Sequence, residues 1–323
     1  MKTSISPAVK IAVLVVFAII FATTLIALSV QVPADESSGG YEGRFDHQTK
    51  KYSESFDVPK GGNLRVDTDM GDITVTGGDV STVQVTVSVK GEERDVEDFI
   101  VKFNRTDQGV EVRGRNREHN GWHFEWRDFD VRYDIVVPSE YNIKIETSGG
   151  DITVSNIRGM IGGGTSGGDV DISGISGDVR LETSGGDIRL KDITGTVVTE
   201  TSGGDIDGTA MNGDIKVETS GGNIDLRGVN GKTVASTSGG DVRMELLDNK
   251  GVDASTSGGN IVIRFPGSVA ADIFAETVSG SVHCDFPIQG TLEDGSLEGT
   301  INGGGLRVRA ETSGGNISIR KID

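Results

Sequence analysis

Eleven glycines, Gly150, Gly159, Gly168, Gly177, Gly186, Gly195, Gly204, Gly213, Gly222, Gly231 and Gly240, fall at a strict nine-residue interval. A fixed period means that one small unit is stacked on itself, which limits the fold more than any composition does. Neighbouring units differ. One reads Thr-Ser-Gly-Gly-Asp-Ile, as at 183–188, and the next reads Ile-x-Gly-x-Val, as at 193–197, so the true period is eighteen. The threonine phrase begins at Thr147, Thr165, Thr183, Thr201, Thr219 and Thr237, slips to Thr256, and returns at Thr312.

The phrase predicts a shape. Gly-Gly is expected to supply positive φ at a sharp corner. After it, Ile188 and Leu190 alternate with Asp187, Arg189 and Lys191, the period of a half-buried strand. A corner and a short strand, twice per eighteen residues, make one coil of a β-solenoid. The expected fold class is therefore all-β, a β-solenoid over residues 141–323. Some ten coils spaced about 4.8 Å apart would give a rod on the order of 50 Å long. One expected inward column is Ile152, Ile161, Val170, Val179, Ile188, Val197, Ile206, Ile215, Ile224 and Val242. A second, at one corner, is Ile157, Ile175, Ile193, Met211, Val229 and Leu247. The opposite corner carries Ser166, Ser184, Ser202, Ser220 and Ser238.

Composition then excludes several classes. Glycine is 48 of 323 residues, and the strict period argues against disorder. A net charge of −18 argues against a nucleic-acid partner, because neutralising phosphates requires clustered Lys and Arg. The single cysteine, Cys284, excludes an intramolecular disulfide framework. It sits in a Val-x-Cys-x-Phe alternation and reads as a packed residue rather than a reactive one.

Residues 11–30 hold no charge, with Lys2 and Lys10 before them and Asp35 and Glu36 after. About twenty apolar residues span the hydrocarbon of a bilayer as a helix, whereas a signal-peptide core is shorter. The expectation is an N-terminal transmembrane anchor over 1–31, the N-terminus cytoplasmic and the rest extracytoplasmic. The competing reading is a signal cleaved after Ala27-Leu28-Ser29, leaving a secreted protein. No cysteine follows the apolar run, so a bacterial-type lipid anchor is excluded. Residues 32–55 read as a polar linker.

An internal duplication follows. Residues 58–75, beginning Val-Pro, align with 137–154 at a spacing of 79, with nine of eighteen positions identical. The first copy runs on into an alternating strand at 80–89, a helix at 92–103 with Val96, Phe99 and Ile100 at helical spacing, and strands at 110–112 and 129–137. Residues 56–140 are thus expected to form a β-rich capping module with one short helix, closing the open end of the solenoid. Near the C-terminus the register breaks at Phe265-Pro266-Gly267 and Asp285-Phe286-Pro287. Residues 311–319 read as the last rung, its edge protected by Arg320, Lys321 and Asp323.

The Val-Pro lead-in, the Thr-Ser-Gly-Gly-Asp-Ile rungs and the closing Thr-Ser-Gly-Gly-Asn-Ile-Ser-Ile resemble the prokaryotic putative-adhesin family of β-strand-repeat proteins, a domain of unknown function. The resemblance covers about residues 56–320. It implies a repeat fold and brings no catalytic residues with it.

Several side chains invite a functional reading. Asp151, Asp169, Asp187, Asp205, Asn223, Asp241, Asn260 and Asn316 form a ladder that suggests calcium. Here, however, the acid directly follows Gly-Gly, and Asn replaces it three times, which favours hydrogen bonding to nearby backbone. No metal or cofactor is expected. The serine column repeats and has no histidine near it in sequence, so it reads as a hydroxyl ladder, not as nucleophiles. Asn120-Gly121 marks a hairpin turn that puts His119 and His123 on opposite faces and Trp122, Phe124 and Trp126 on one. Those three aromatics either pack on the solenoid end or form an exposed stripe for a glycan or protein partner. Asn104 and Asn316 fit the glycosylation pattern.

The expected function is non-catalytic: a membrane-anchored extracytoplasmic adhesion or cell-envelope scaffold module. Two alternatives stand beside it. One is a polysaccharide-active β-helix enzyme using acids such as Glu182, Glu200 and Glu218; the other is an accessory partner of a membrane signalling system.

Overall fold

In the computed structural model each eighteen-residue unit closes into one coil that contributes one strand to each of two sheets, thirteen and fourteen strands wide. The structure describes residues 47–117 and 129–322. In the first sheet the register runs Val170, Ile188, Ile206, Ile224, Val242 across parallel strands. In the second it runs Ile161, Val179, Val197, Ile215. All of these side chains are buried in one continuous core. The inward column read from the sequence is therefore two columns, one per sheet, because alternate nine-residue units fall in opposite sheets. Setting aside the antiparallel end strands, two in the first sheet and three in the second, eleven parallel strands remain in each. The fold is all-β with a solenoid-like repeat.

The two halves of a coil differ for a physical reason. Strands of the first sheet such as Ile188–Thr194 and Ile206–Asn212 bury their first, third and sixth residues. The alternation skips at a left-handed residue, Asn156, Gly174, Asp192, Ala210 and Gly228 in successive coils, with φ between 54° and 66°. That bulge returns Ile157, Ile175, Ile193, Met211 and Val229 to the core. The next coil lacks the bulge: Val229 pairs with Leu246, which is buried, and Leu247 is 56% exposed. Leu247 therefore does not continue the column, as the even spacing had suggested.

The corner glycines also differ from expectation. In the Ser-Gly-Gly corner Gly168, Gly186, Gly204, Gly222 and Gly240 are not at positive φ. They are glycine because the coils touch there: a Cβ on Gly186 would lie 2.0 Å from the Gly168 carbonyl oxygen. The serines of that corner are exposed, and the threonines before them turn inward and are buried.

The duplication is a stacking instruction. Asn63–Thr68 lies parallel to Asn142–Thr147, with every partner 79 residues apart, and Ile73 pairs with Ile152 at the same spacing. Gly109–Asn116 and Asp130–Pro138 then add a coil on the outer side of the first copy. The described strands of 56–140 are thus continuous with both sheets, and the described residues form one unit. Antiparallel strands close this end: Thr82–Glu92 and His47–Asp57 in the first sheet, Phe99–Thr106 in the second. His47–Asp57 occupies a stretch read from sequence as linker, and its alternating Tyr52 and Phe56 lie opposite buried Val87 and Val83. The helix is only Glu93–Asp98, with Val96 buried. From Phe99 onward the alternation of Phe99, Val101 and Phe103 sets a strand instead of the helix expected to 103.

The chain reverses its order at the far end too. Arg307–Thr312 and Ile317–Lys321 pair with Val252–Thr256 and Ile261–Phe265 on one side. On the other side they pair with Ala271–Thr277 and Val282–Cys284. The last rung in sequence is therefore interior, and Arg320 and Lys321 do not guard an edge. The true edges are Val282–Cys284 in the first sheet and Gln289–Glu293 in the second. Among the described residues no helix is long and apolar enough to cross a membrane; the apolar run at 11–30 lies outside them.

Candidate interaction surface

The repeated polar side chains at the corners are largely committed to holding coils together. The Asp/Asn ladder is continuous: the backbone N–H of each member donates to the side-chain Oδ1 of the one before. Asp187 reaches Asp169 at 2.9 Å, Asp205 reaches Asp187 at 2.9 Å, and Asp241 reaches Asn223 at 2.9 Å. It starts with Asp151 on Asp72 and ends with Ser281 on Asn316. Asn serves as well as Asp because only one side-chain oxygen is required. Arg189 relieves the stacked charge by pairing with Asp169 at 2.9 Å and Asp187 at 2.8 Å. Its hydrogen bond, helped by the Asp187 N–H, holds the Asp169 carboxyl below the usual carboxylate range. Asp171 and Asp207 shift the other way, chiefly because they are partly buried; neighbouring Asp225 and Asp205 push Asp207 further. Among the described residues no three His, Cys, Asp or Glu side chains are grouped to hold a metal ion.

The buried threonines make a second ladder, which sequence reasoning assigned to the wrong neighbour. Thr183 Oγ1 donates to the Gly168 carbonyl at 2.9 Å and accepts from the Gly186 N–H at 3.3 Å. Thr201, Thr219 and Thr237 repeat both bonds. The invariant Thr before each Ser was the available signal. The exposed serines are left facing solvent.

What remains for contact is the outer face of each sheet. On the second sheet the outward positions form two rows, Lys144, Gly162, Arg180, Val198, Lys216 and Glu146, Gly164, Glu182, Glu200, Glu218. The strand holding Gly162, Gly163 and Gly164 has glycine at both outward positions, so a groove of about 400 Å³ opens there, lined by Glu146, Glu182, Glu200, Ser166 and Ser184 among others. Lys144 and Arg180 line its continuation. Glu146 is engaged by Arg65 at 3.0 Å and Lys144 at 2.9 Å.

The sequence-derived candidates are scattered. Trp122, Phe124, Trp126, His119 and His123 lie outside the described residues. Asn104 is exposed on Phe99–Thr106. Asn316 is committed to the ladder, its Oδ1 accepting from the Ser281 N–H at 2.9 Å and hydroxyl at 3.0 Å. Cys284 is half-buried, and burial raises its thiol pKa.

The family model of Toastrack DUF4097 matches residues 61–320, the whole span of stacked coils. The chain belongs to this Toastrack family. A search of the curated proteins finds no match to this Toastrack chain. Among solved structures it is similar to a putative adhesin from Bacteroides fragilis, 15% identical over 84% of this chain and 97% of that one, TM-score 0.41. It is also similar to a putative adhesin from Parabacteroides distasonis, at 12% identity, the same coverages and a TM-score of 0.42. A putative lipid binding protein from the same species matches at 11% identity, again over 84% and 97%, with a TM-score of 0.38.

Proposed function

We infer that this Toastrack chain is a membrane-anchored, extracytoplasmic module that acts by surface contact, as an adhesion or envelope-scaffold element, and not by catalysis. The observation that carries this reading is the division of labour among its polar groups. The corner acids and threonines that recur with the repeat are used as inter-coil hydrogen bonds, leaving two long, regular outer faces and, on the second, the groove over Gly162 and Gly164. Glu182 and Glu200 stand in one row on successive coils. A glycosidase needs two carboxyl groups flanking the scissile bond, so a pair projecting side by side fits contact better than bond cleavage. The apolar run at 11–30 supports anchoring, with the repeat region outside the cytoplasm.

The testing experiment sets a glycan array beside reducing-end release from the same glycans, using the purified full chain. Binding without release is expected, and weakening by Trp126→Ala at unchanged melting temperature would assign the contact to the Trp122, Phe124 and Trp126 stripe. Release of reducing ends would sink the non-catalytic reading. Intact-mass measurement of the native protein tests the anchor: retention of the residues before Ile11 is expected, and a start near Val30 would make the protein secreted.

A further inference from the structure

We propose that copies of this chain associate head to tail through the second sheet, with Phe99–Thr106 of one copy adding to Gln289–Glu293 of the next. Among the described residues both strands are the outermost of that sheet, so each presents a row of backbone groups not paired within it.

Direction and step height agree. Beyond the terminal coil at the Phe99 end the first sheet extends by two strands and the second by one; at the other end the first extends by none and the second by two. The second-sheet overhang at one end therefore faces the first-sheet overhang at the other, and the ends interlock to within one strand. Phe99–Thr106 runs antiparallel to the coils and Gln289–Glu293 runs parallel to them. Stacking two copies in the same orientation makes this pair antiparallel, the mode each strand already uses with its own neighbour.

The two sheets are guarded differently. On the outermost strand of the first sheet Lys50 and Glu54 hold core-facing positions, opposite buried Val89 and Val85. Inward-pointing charges are how natural sheets block edge pairing. The second sheet carries one such charge, Arg105 opposite buried Val110 at the end of its outermost strand, and apolar groups at the central places. Val101 and Phe103 are core-facing and half-exposed, Phe103 opposite buried Val112. At the far end Leu292 lies opposite buried Leu297 yet is 50% exposed, because the core stops there. The register that sets Phe103 opposite Leu292 sets Lys102 opposite Glu293. Like ends would instead bring Lys102 and Arg105 against their own kind, or Glu293 and Asp294 against theirs, so opposite ends are favoured. A heterologous contact of this kind does not close and builds linear chains. One five-residue strand buries less than the roughly 1,000 Å² of a stable interface, so the association is weak and depends on high local concentration.

The test is sedimentation velocity of the purified full chain across a wide concentration range, with thermal melts as a folding control. Wild type is expected to form concentration-dependent linear species. Leu292→Lys, Lys102→Glu and Glu293→Lys should each weaken association by about tenfold or more at unchanged melting temperature. An equimolar mixture of Lys102→Glu and Glu293→Lys chains should restore it, since each reversed end then meets a complementary one. A wild type monomeric throughout overturns the proposal. So does association indifferent to Leu292→Lys or Glu293→Lys, which would place the contact elsewhere, or a mixture that fails to reassemble.

Discussion

The hydroxyl of Thr183 donates to the carbonyl of Gly168, fifteen residues earlier and one coil below, at 2.9 Å. The same oxygen accepts from the Gly186 N–H, so one buried atom joins two coils and fixes the corner between them. Thr183→Val keeps the shape and removes both bonds, leaving a part-buried carbonyl and a buried N–H unmet. The expected cost is about 1–3 kcal/mol. Ser184→Ala, on the exposed neighbour, should stay within about 0.5 kcal/mol. Urea unfolding of the two variants checks this, and equal shifts would contradict the assignment of Thr as the inward member.

The Asp/Asn ladder separates charge from hydrogen bonding. Asp205 Oδ1 accepts from the Asn223 backbone N–H at 2.6 Å. Asp205→Asn retains an oxygen there and should be nearly neutral. Asp205→Ala orphans the N–H and should cost about 1 kcal/mol. Comparable losses in both variants, measured by denaturant midpoints, would mean that the charge itself matters.

The bulge column predicts a gain. Ala210 is held at φ 56°, a left-handed conformation that costs an ordinary residue about 1–2 kcal/mol. Gly174 and Gly228 fill the same place in other coils. Ala210→Gly should raise stability by about 0.5–1 kcal/mol after the entropy that glycine loses on folding. Ala210→Val should lower it. A lower melting temperature for the glycine variant would refute the strain argument.

Acid should act in two opposing ways. Asp171 and Asp207 have carboxyl pKa values raised above the unfolded value, mainly by burial. The folded state therefore binds their protons first, and stability rises as pH falls through those raised values. Asp169 is lowered by its bond from Arg189, so its contribution is present above the unfolded carboxylate pKa and is lost as pH falls through the folded value. Stability should pass through a maximum in mildly acidic solution. Asp207→Asn should be more stable than wild type at neutral pH and show a smaller rise on the way down. A melting temperature that falls steadily from neutral pH, with no difference between the two proteins, would contradict the raised values of Asp171 and Asp207.

Much of the fold was legible because the repeat is local. A period of eighteen with alternating Ile188 and Leu190 leaves a strand with one apolar face no stable option except stacking on its own kind. The spacing of 79 between the two Val-Pro segments even matched the register in which Asn63–Thr68 meets Asn142–Thr147. Spatial order was not legible. Parallel pairing says that a rung needs a neighbour and not which one, so only the packed structure showed Ile317–Lys321 inserted between Ile261–Phe265 and Val282–Cys284. Alternation already marked Thr183, in line with Val179 and Leu181, as the inward member and Ser184, in line with Arg180 and Glu182, as the outward one; only the stacked coils showed that its hydroxyl meets the Gly168 carbonyl. The groove over Gly162–Gly164 likewise exists only because Lys144, Arg180, Glu146 and Glu182 arrive on adjacent strands to form its rims. Period, strand type and core face are properties of neighbouring residues and were fixed locally. Edges, grooves and the ends of the rod are properties of which strands lie side by side, and those were decided by long-range pairing.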